Sequence, residues 1–343
     1  MKNTQIKNNA DIIEAKLKGI PIDLIGTKIL ITGASGLIGV HLVEFFKKFS
    51  NNVYALTKNN PPSYMENIFE RTKLIIGDVT DNNLLNSLPS DFEYIVHSAG
   101  YATPMKFMEN TYETLKIGLI TNFLLKKCIG QFLFISSSEV YSGSIRPEED
   151  DPLQIDSNNP RMCYINAKLN GEMSVNTSDV DAKSVRVCNA YGPGIKMNDK
   201  RALNTFIQQA LLTKEIRLRD YGRDVRDYCY IVDIVTKMLN VMFYGKSKLY
   251  NIGSEEEDSF ITISDLAEKI AELTNSVVIY PKANENIIGS PKHSAVSMNK
   301  YNDEFGNYKS IPLIEGLQET IDWCDYLIQY KQEYYNFCGE VLS

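Results

Sequence analysis

The chain has 343 residues, 43% of them hydrophobic and 23% charged, which allows a nucleotide-binding core plus a smaller companion domain and leaves ample apolar surface to bury. Thirty-six Lys and Arg against 43 Asp and Glu give a net charge of −7. That argues against a nucleic-acid partner, because affinity for a phosphate backbone comes from clustered positive charge. No apolar run approaches the roughly 18 residues that cross a bilayer, so no membrane partner is expected either.

The amino-terminal Met1-Lys2-Asn3-Thr4-Gln5 has no secretory hydrophobic core. The six cysteines, at 128, 163, 188, 229, 324 and 338, show no C-x-x-C spacing. A cytoplasmic protein with free, buried thiols is expected. His41, His97 and His293 lack ligand spacing, so no metal site is expected.

Residues 11–18 have a helical pattern that Gly19-Ile20-Pro21 ends. Residues 1–27 are read as an extension that packs as an appendage. From residue 28, short apolar runs alternate with amphipathic stretches: strands at 28–32, 53–56, 74–76, 94–97 and 132–135, helices at 37–49, 82–88 and 105–127. Continuous apolar strands are those buried on both faces. Their alternation with helices predicts an α/β fold, a Rossmann-type doubly wound parallel sheet over 28–190. Beyond 190 the alternation breaks down. Helices are expected at 202–214, 233–243 and 263–273, the last capped by Thr262 or Ser264. A strand at 249–252 precedes an acidic turn at 255–258, and 314–330 is amphipathic. Residues 191–343 are assigned mostly to a mixed α/β substrate lobe, with some segments free to return to the sheet.

The strongest local signal is Thr32-Gly33-Ala34-Ser35-Gly36-Leu37-Ile38-Gly39, which follows a strand and opens a helix. Gly33 permits the tight turn, Gly36 lets the backbone approach a pyrophosphate, and Gly39 lets the helix pack on the strand; the helix N-terminus then faces the anion. The second strand ends at Ala55-Leu56-Thr57-Lys58-Asn59, without the acid that would hold an adenosine ribose. Thr57 and Lys58 could instead accommodate a 2′-phosphate, which leaves NADP open beside the expected NAD. Asp78, in Gly77-Asp78-Val79, is placed either to accept from the adenine amino group or to cap the helix at Asp81. Candidate cofactor contacts are Gly33, Ser35, Gly36, Leu37, Ile38, Gly39, Thr57, Lys58, Asp78, Val79, and Ser98 and Ala99 after the fourth strand.

Two further segments carry chemistry. Ile135-Ser136-Ser137-Ser138-Glu139-Val140-Tyr141 lies just past a strand, at the carboxyl edge of the sheet. In Tyr164-Ile165-Asn166-Ala167-Lys168, the Tyr and Lys are four apart and share a helix face. An ammonium there is expected to draw the phenol down from about 10 toward working pH, so that it serves as a base.

In order and spacing, TGASGLIG, SSSEVYS and YINAK resemble the extended short-chain dehydrogenase/reductases that modify nucleotide sugars, the NAD-dependent epimerase/dehydratase family, over about residues 28–330. The segments 97–116, 160–168, 189–207 and 225–233 are most similar to UDP-glucuronate decarboxylases (UDP-xylose synthases). The resemblance implies catalytic roles for four residues: Ser137 bonds the sugar C4 hydroxyl, Tyr164 removes its proton, Lys168 tunes the phenol and holds the nicotinamide ribose, and Glu139 stands near sugar C5. It implies substrate contacts at Ser138, Asn189, Arg201 and Arg226, a UDP-sugar substrate and a homodimer built from the helices around 105–127 and 161–175.

A C4 ketone leads three ways: to decarboxylation, to dehydration across C5–C6, or to 4-epimerisation. Dehydratases of the family carry Asp-Glu where this chain has Ser138-Glu139, and epimerases usually lack the Glu, so the decarboxylase pattern leads. Gly118 in place of Asn, Gly194 in place of Arg, Tyr101 in place of Pro and Ser142 in place of Gly depart from that pattern. A non-enzymatic dinucleotide-binding regulator is the remaining class; such proteins typically lose the Tyr/Lys pair, which this chain keeps.

Overall fold

The computed structural model describes residues 4–254, 256–282, 291–307 and 309–342, with the backbone alone at Ile22 and 332–342. Residues 1–3, Glu255 of the acidic turn and the Cys338 side chain lie outside the described residues. The strands are β1 Ile29–Thr32, β2 Val53–Thr57, β3 Lys73–Ile76, β4 Phe92–His97, β5 Cys128–Ser137, β6 Asp181–Val187, β7 Asn189–Tyr191, β8 Glu215–Arg217, β9 Val225–Tyr230, β10 Leu249–Ile252, β11 Phe260–Thr262 and β12 Val277–Ile279. The helices are α1 Thr4–Lys16, α2 Leu37–Phe46, α3 Glu66–Phe69, α4 Asn82–Ser87, α5 Pro104–Glu109, α6 Thr111–Leu125, α7 Met162–Asn176, α8 Ala202–Thr213, α9 Ile231–Tyr244, α10 Ile263–Thr274, α11 Asn299–Phe305 and α12 Leu313–Leu342.

Seven parallel strands form one sheet in the order β10-β6-β5-β4-β1-β2-β3. The doubly wound fold read from the apolar runs is therefore present. Its physical basis is visible strand by strand. Ile29 and Ile31 of β1, Tyr94 and Val96 of β4, and Leu133 and Ile135 of β5 enter one core, with α1, α2 and α9. Leu30, Ile95, Phe132 and Phe134 enter the core on the other face, with α4 and α6. Period-two alternation between two dry faces is what makes the runs apolar throughout.

The lobe adds two small sheets, β11-β9-β7 and β12-β8. β10 belongs to the main sheet, paired with β6 from Leu249↔Ser184 to Ile252↔Val187.

Several boundaries differ from expectation. The amino-terminal helix starts at Thr4 rather than at residue 11, because Ile6, Ala10 and Ile13 give its buried face against α2 and α9. The expected 105–127 helix is two helices, broken at Asn110 (φ −118°, ψ 51°). The Asn110 amide bonds the Lys106 carbonyl, competing with the helix ladder. The 132–135 strand spans ten residues, to Ser137. β6 was not expected, since Lys183, Ser184 and Arg186 interrupt its apolar pattern; all three are buried and paired with the helices that cover it or enclosed by them. Thr262 is the cap of α10, its hydroxyl accepting from the Asp265 N–H.

Candidate active site

The crevice opens between β1 and β4, where the strand order reverses. Thr32 ends β1 and His97 ends β4 as its neighbour. Thr32 Oγ1 lies 2.7 Å from His97 Nδ1, Ser98 Oγ donates to Thr32 O, and the Ala99 N–H donates to Thr32 Oγ1. Gly33 then turns with φ +68°, and a Cβ there would stand 2.8 Å from Ala99 N and Cα. At Gly39 a Cβ would stand 2.4 Å from Gly33 O. Only hydrogen fits at either place. Gly36, the N-cap of α2, has no side chain to bond the first N–H groups of the helix, and among the described residues no other side chain caps them. A bare backbone and uncapped donors fit a dinucleotide pyrophosphate.

Past the end of β2, Lys58 Nζ lies 2.8 Å from Asp78 Oδ2 and 2.9 Å from the Tyr101 hydroxyl oxygen. Those two partners raise the lysine pKa. Asp78 accepts from Thr80 N and Oγ1 and does not cap the helix as expected; Asp81 caps α4, its side chain accepting from the Asn83 N–H. Thr57 is fully buried, and among the described residues its hydroxyl has no hydrogen-bond partner. Val79 is buried beneath this corner.

α7 lies against β5 and β6 through residues four apart. Lys168 Nζ donates to Ile135 O at 2.7 Å. One turn on, Glu172 accepts from Ser136 and takes two bonds from Arg186 of β6, at 3.0 and 2.7 Å. Breaking such a buried pair costs about 3–5 kcal/mol, because the remaining charge is stranded. Gly171 gives the helix room over the Phe134 ring, and Gly118 of α6 touches the Ala167 carbonyl, where a Cβ would be 2.3 Å away. Lys168 thus comes within 3.8 Å of the Cβ position of Gly100, which follows Ala99 at the crevice.

Tyr164 sits one turn before Lys168, stacked on Phe107 of α5 at 4.7 Å between centroids and 13° between planes. Ser137 ends β5 facing it, and the Lys168 ammonium is 5.5 Å from its ring centre. The phenol departs from the expected direction. Burial, and next the Glu139 carboxylate, push it up to about 12, while Ser137, Arg161 and Arg201 pull it down. Burial likewise pushes Lys168 down to about 8, with Glu172 opposing. The low-dielectric surroundings, which a spacing of four residues does not encode, dominate here.

Ser138 and Glu139 begin a short 3-10 turn in which the Glu139 N–H donates to Ser137 Oγ. Glu139 is gripped by Arg161, at the N-terminus of α7. Arg201 is tied to Asp199 by three guanidinium bonds and one from its backbone N–H, and bears electrostatically on Tyr164 and Tyr228. Arg226 contacts Asp224 and also bears on Tyr228, so Tyr228 joins these two arginines to one region. Asn189 is engaged by Asp227 O and Ser294. Sequence reasoning missed Arg161, Phe107 and Tyr228. Arg161 alone had a local signal, three residues before Tyr164 and so on its helix face. Among the described residues no cluster of His, Cys, Asp and Glu is suited to a metal, and no helix is long and apolar enough to cross a membrane.

The family model described as NAD dependent epimerase/dehydratase matches residues 29–253. Among curated relatives, UDP-glucuronic acid decarboxylase 1 of Danio rerio is 27% identical over 312 residues, covering 86% of this chain and 72% of its own. The dTDP-D-glucose 4,6-dehydratase of Dictyostelium discoideum is 30% identical over 285 residues, covering 74% and 63%. Among solved structures, an epimerase from Methanothermobacter thermautotrophicus superposes with a TM-score of 0.78 at 20% identity, over 97% of this chain and 99% of that one. The UDP-glucuronic acid 4-epimerase of Bacillus cereus, in complex with UDP-glucuronic acid and NAD, gives 0.73 at 23% identity, over 88% and 99%.

Proposed function

This chain belongs to the NAD dependent epimerase/dehydratase family, and on that premise we propose that it is a nucleotide-sugar enzyme that oxidises UDP-glucuronate at C4 and then decarboxylates it. One observation carries the proposal: Tyr164, Ser137 and Lys168 meet at the carboxyl end of β5, beside the crevice that the glycine turn opens.

Ser137 orients the C4 hydroxyl and Tyr164 takes its proton. Ser137, Arg161 and Arg201 offset the burial that holds the proton on the phenol, and Lys168 adds positive charge at 5.5 Å from the ring. NAD, which the glycine turn at Gly33, Gly36 and Gly39 would hold with Lys168 beside it, would supply the hydride acceptor and donor for C4. A C6 carboxylate is then β to a ketone. The C5–C6 bond breaks, its electron pair passes into the enolate of the C4 ketone, and carbon dioxide leaves. Glu139 governs the proton that returns to C5. Arg201 and Arg226 receive the diphosphate and sugar, with Ser138 and Asn189 along the same edge. Ser138, where a dehydratase would carry an acid for departing water, favours decarboxylation over dehydration. The Danio rerio relative's decarboxylase name agrees.

NAD is preferred to NADP because Lys58 is already held by Asp78 and Tyr101, and a 2′-phosphate would meet the Asp78 carboxylate. A second copy of this chain covers α6 and α7, whose outer faces expose Tyr112, Leu119 and Met173. The five described cysteines are buried and unpaired, as suits a cytoplasmic setting.

Mass spectrometry of products from a panel of nucleotide sugars tests the reaction. A loss of about 44 mass units reports decarboxylation, about 18 dehydration, and an unchanged mass at a new retention time epimerisation, since each follows from the same ketone. Unaltered substrate throughout, with NAD bound, would sink the proposal.

A further inference from the structure

Lys196 lies outside every role assigned above. It follows Tyr191-Gly192-Pro193-Gly194-Ile195 in the lobe, yet its ammonium is 3.1 Å from Ser35 Oγ, in the middle of the glycine turn. The segment that carries it is fixed on all sides. Gly194 has φ +100°, and a Cβ there would stand 3.1 to 3.4 Å from Val40, His41 and Leu37 of α2. The Trp323 indole donates to Ile195 O, Asn204 to Asp199 O and Gln208 to Met197 O. The cation is thus placed before any ligand arrives.

What it is placed for is an anion. Among the described residues no carboxylate lies within ion-pair distance of Lys196; the nearby Asp199 is engaged by Arg201. Burial lowers the lysine pKa, and Lys106 of α5 lowers it further. Asp199 is the carboxylate that Lys106 bears on, and with Arg201 already bound to it the group of three cations keeps excess positive charge, which a further negative group would relieve. The first N–H groups of α2 face the same turn uncapped. We propose that Lys196 is a positioning residue that reaches from the substrate lobe to the pyrophosphate of the dinucleotide at the glycine turn, so that cofactor binding ties the two parts of the molecule together. This rests on the dinucleotide reading given above.

The shared chemistry is a diphosphate, and a sugar nucleotide also carries one, so the test uses both. Isothermal titration compares ADP-ribose, adenosine and UDP on the whole chain: wild type, Lys196→Met and Lys196→Arg. Lys196→Met is expected to weaken ADP-ribose at least tenfold, to change adenosine and UDP less than about twofold and to flatten the salt dependence of ADP-ribose binding; Lys196→Arg retains most of the affinity. The ratio of ADP-ribose to adenosine within each variant cancels any change in folding. An unchanged ratio in Lys196→Met overturns the proposal, and so does a loss confined to UDP, which assigns the lysine to the substrate. A wild-type chain that binds no ADP-ribose overturns the dinucleotide reading itself.

Discussion

Arg161 holds Glu139 by both carboxylate oxygens, with Nε 3.1 Å from Oε2 and a second bond from the guanidinium to Oε1. Glu139 in turn raises the Tyr164 phenol, while Arg161 lowers it. Glu139→Gln removes the opposing charge, so the tyrosine should ionise at lower pH. The expected outcome splits by step: the pH limb of C4 oxidation, followed as cofactor reduction in single turnover, moves down, while product formation slows by roughly 10- to 1,000-fold if Glu139 governs the C5 proton. A variant with the wild-type pH limb and wild-type turnover returns Glu139 to a purely structural pairing.

Tyr164→Phe should cut turnover by about 10²–10⁴-fold, the usual worth of a positioned base. Phe keeps the stack on Phe107, so ADP-ribose affinity should stay within a few-fold of wild type. Retained turnover assigns the base elsewhere.

Lys168 has a pKa pushed down to about 8 by burial, against an ordinary 10.5. Below pH 8 the ammonium is charged in both states and the full burial penalty opposes folding. Between 8 and 10.5 the unfolded chain holds a proton that the folded chain has released, so stability rises with pH across that window. Denaturant titrations should show wild type gaining up to about 3 kcal/mol on Lys168→Met between pH 8 and 10.5. A difference that is flat with pH means the ammonium is better solvated than its surroundings indicate.

A methyl group at Gly118 would stand 2.3 Å from the Ala167 carbonyl. Gly118→Ala should therefore cost about 1–3 kcal/mol of stability by overpacking. Because α7 carries Tyr164 and Lys168, kcat should fall at temperatures where the variant is still folded. Thermal melts alongside kcat measure both effects, and an unshifted melt shows that the helices part without cost.

Asp78→Asn frees Lys58 of its carboxylate and removes the charge a 2′-phosphate would meet. The NADP-to-NAD affinity ratio should rise about tenfold, the scale of one charge-assisted contact of about 1.5 kcal/mol. Equal ratios in the two proteins would place the specificity elsewhere on the crevice wall.

The glycine turn, the Tyr164–Lys168 pair and the apolar strands were legible in the sequence because each is a local pattern. A turn needing φ > 0, two residues on one helix face and a strand buried on both sides are set within about ten neighbouring residues. Gly33, Gly36 and Gly39 stand where that pattern puts them. β6 escaped because two of its buried charges are met by partners outside the strand, Arg186 by Glu172 and Lys183 by the Met242 carbonyl. Asn110 and the helix break were written in one residue's side-chain competition, which a periodicity count passes over.

By itself, the sequence determined a parallel sheet, a dinucleotide turn and a tyrosine one helical turn from a lysine. Tertiary structure alone decided the electrostatics around them. Arg161 meets Glu139 across 22 residues and Lys196 meets Ser35 across 161. Burial, which no linear spacing encodes, is the first cause in setting the phenol, ahead of Glu139, Ser137, Arg161 and Arg201. The reason is range: backbone geometry is fixed by near neighbours, whereas a charge answers to everything that excludes water from it.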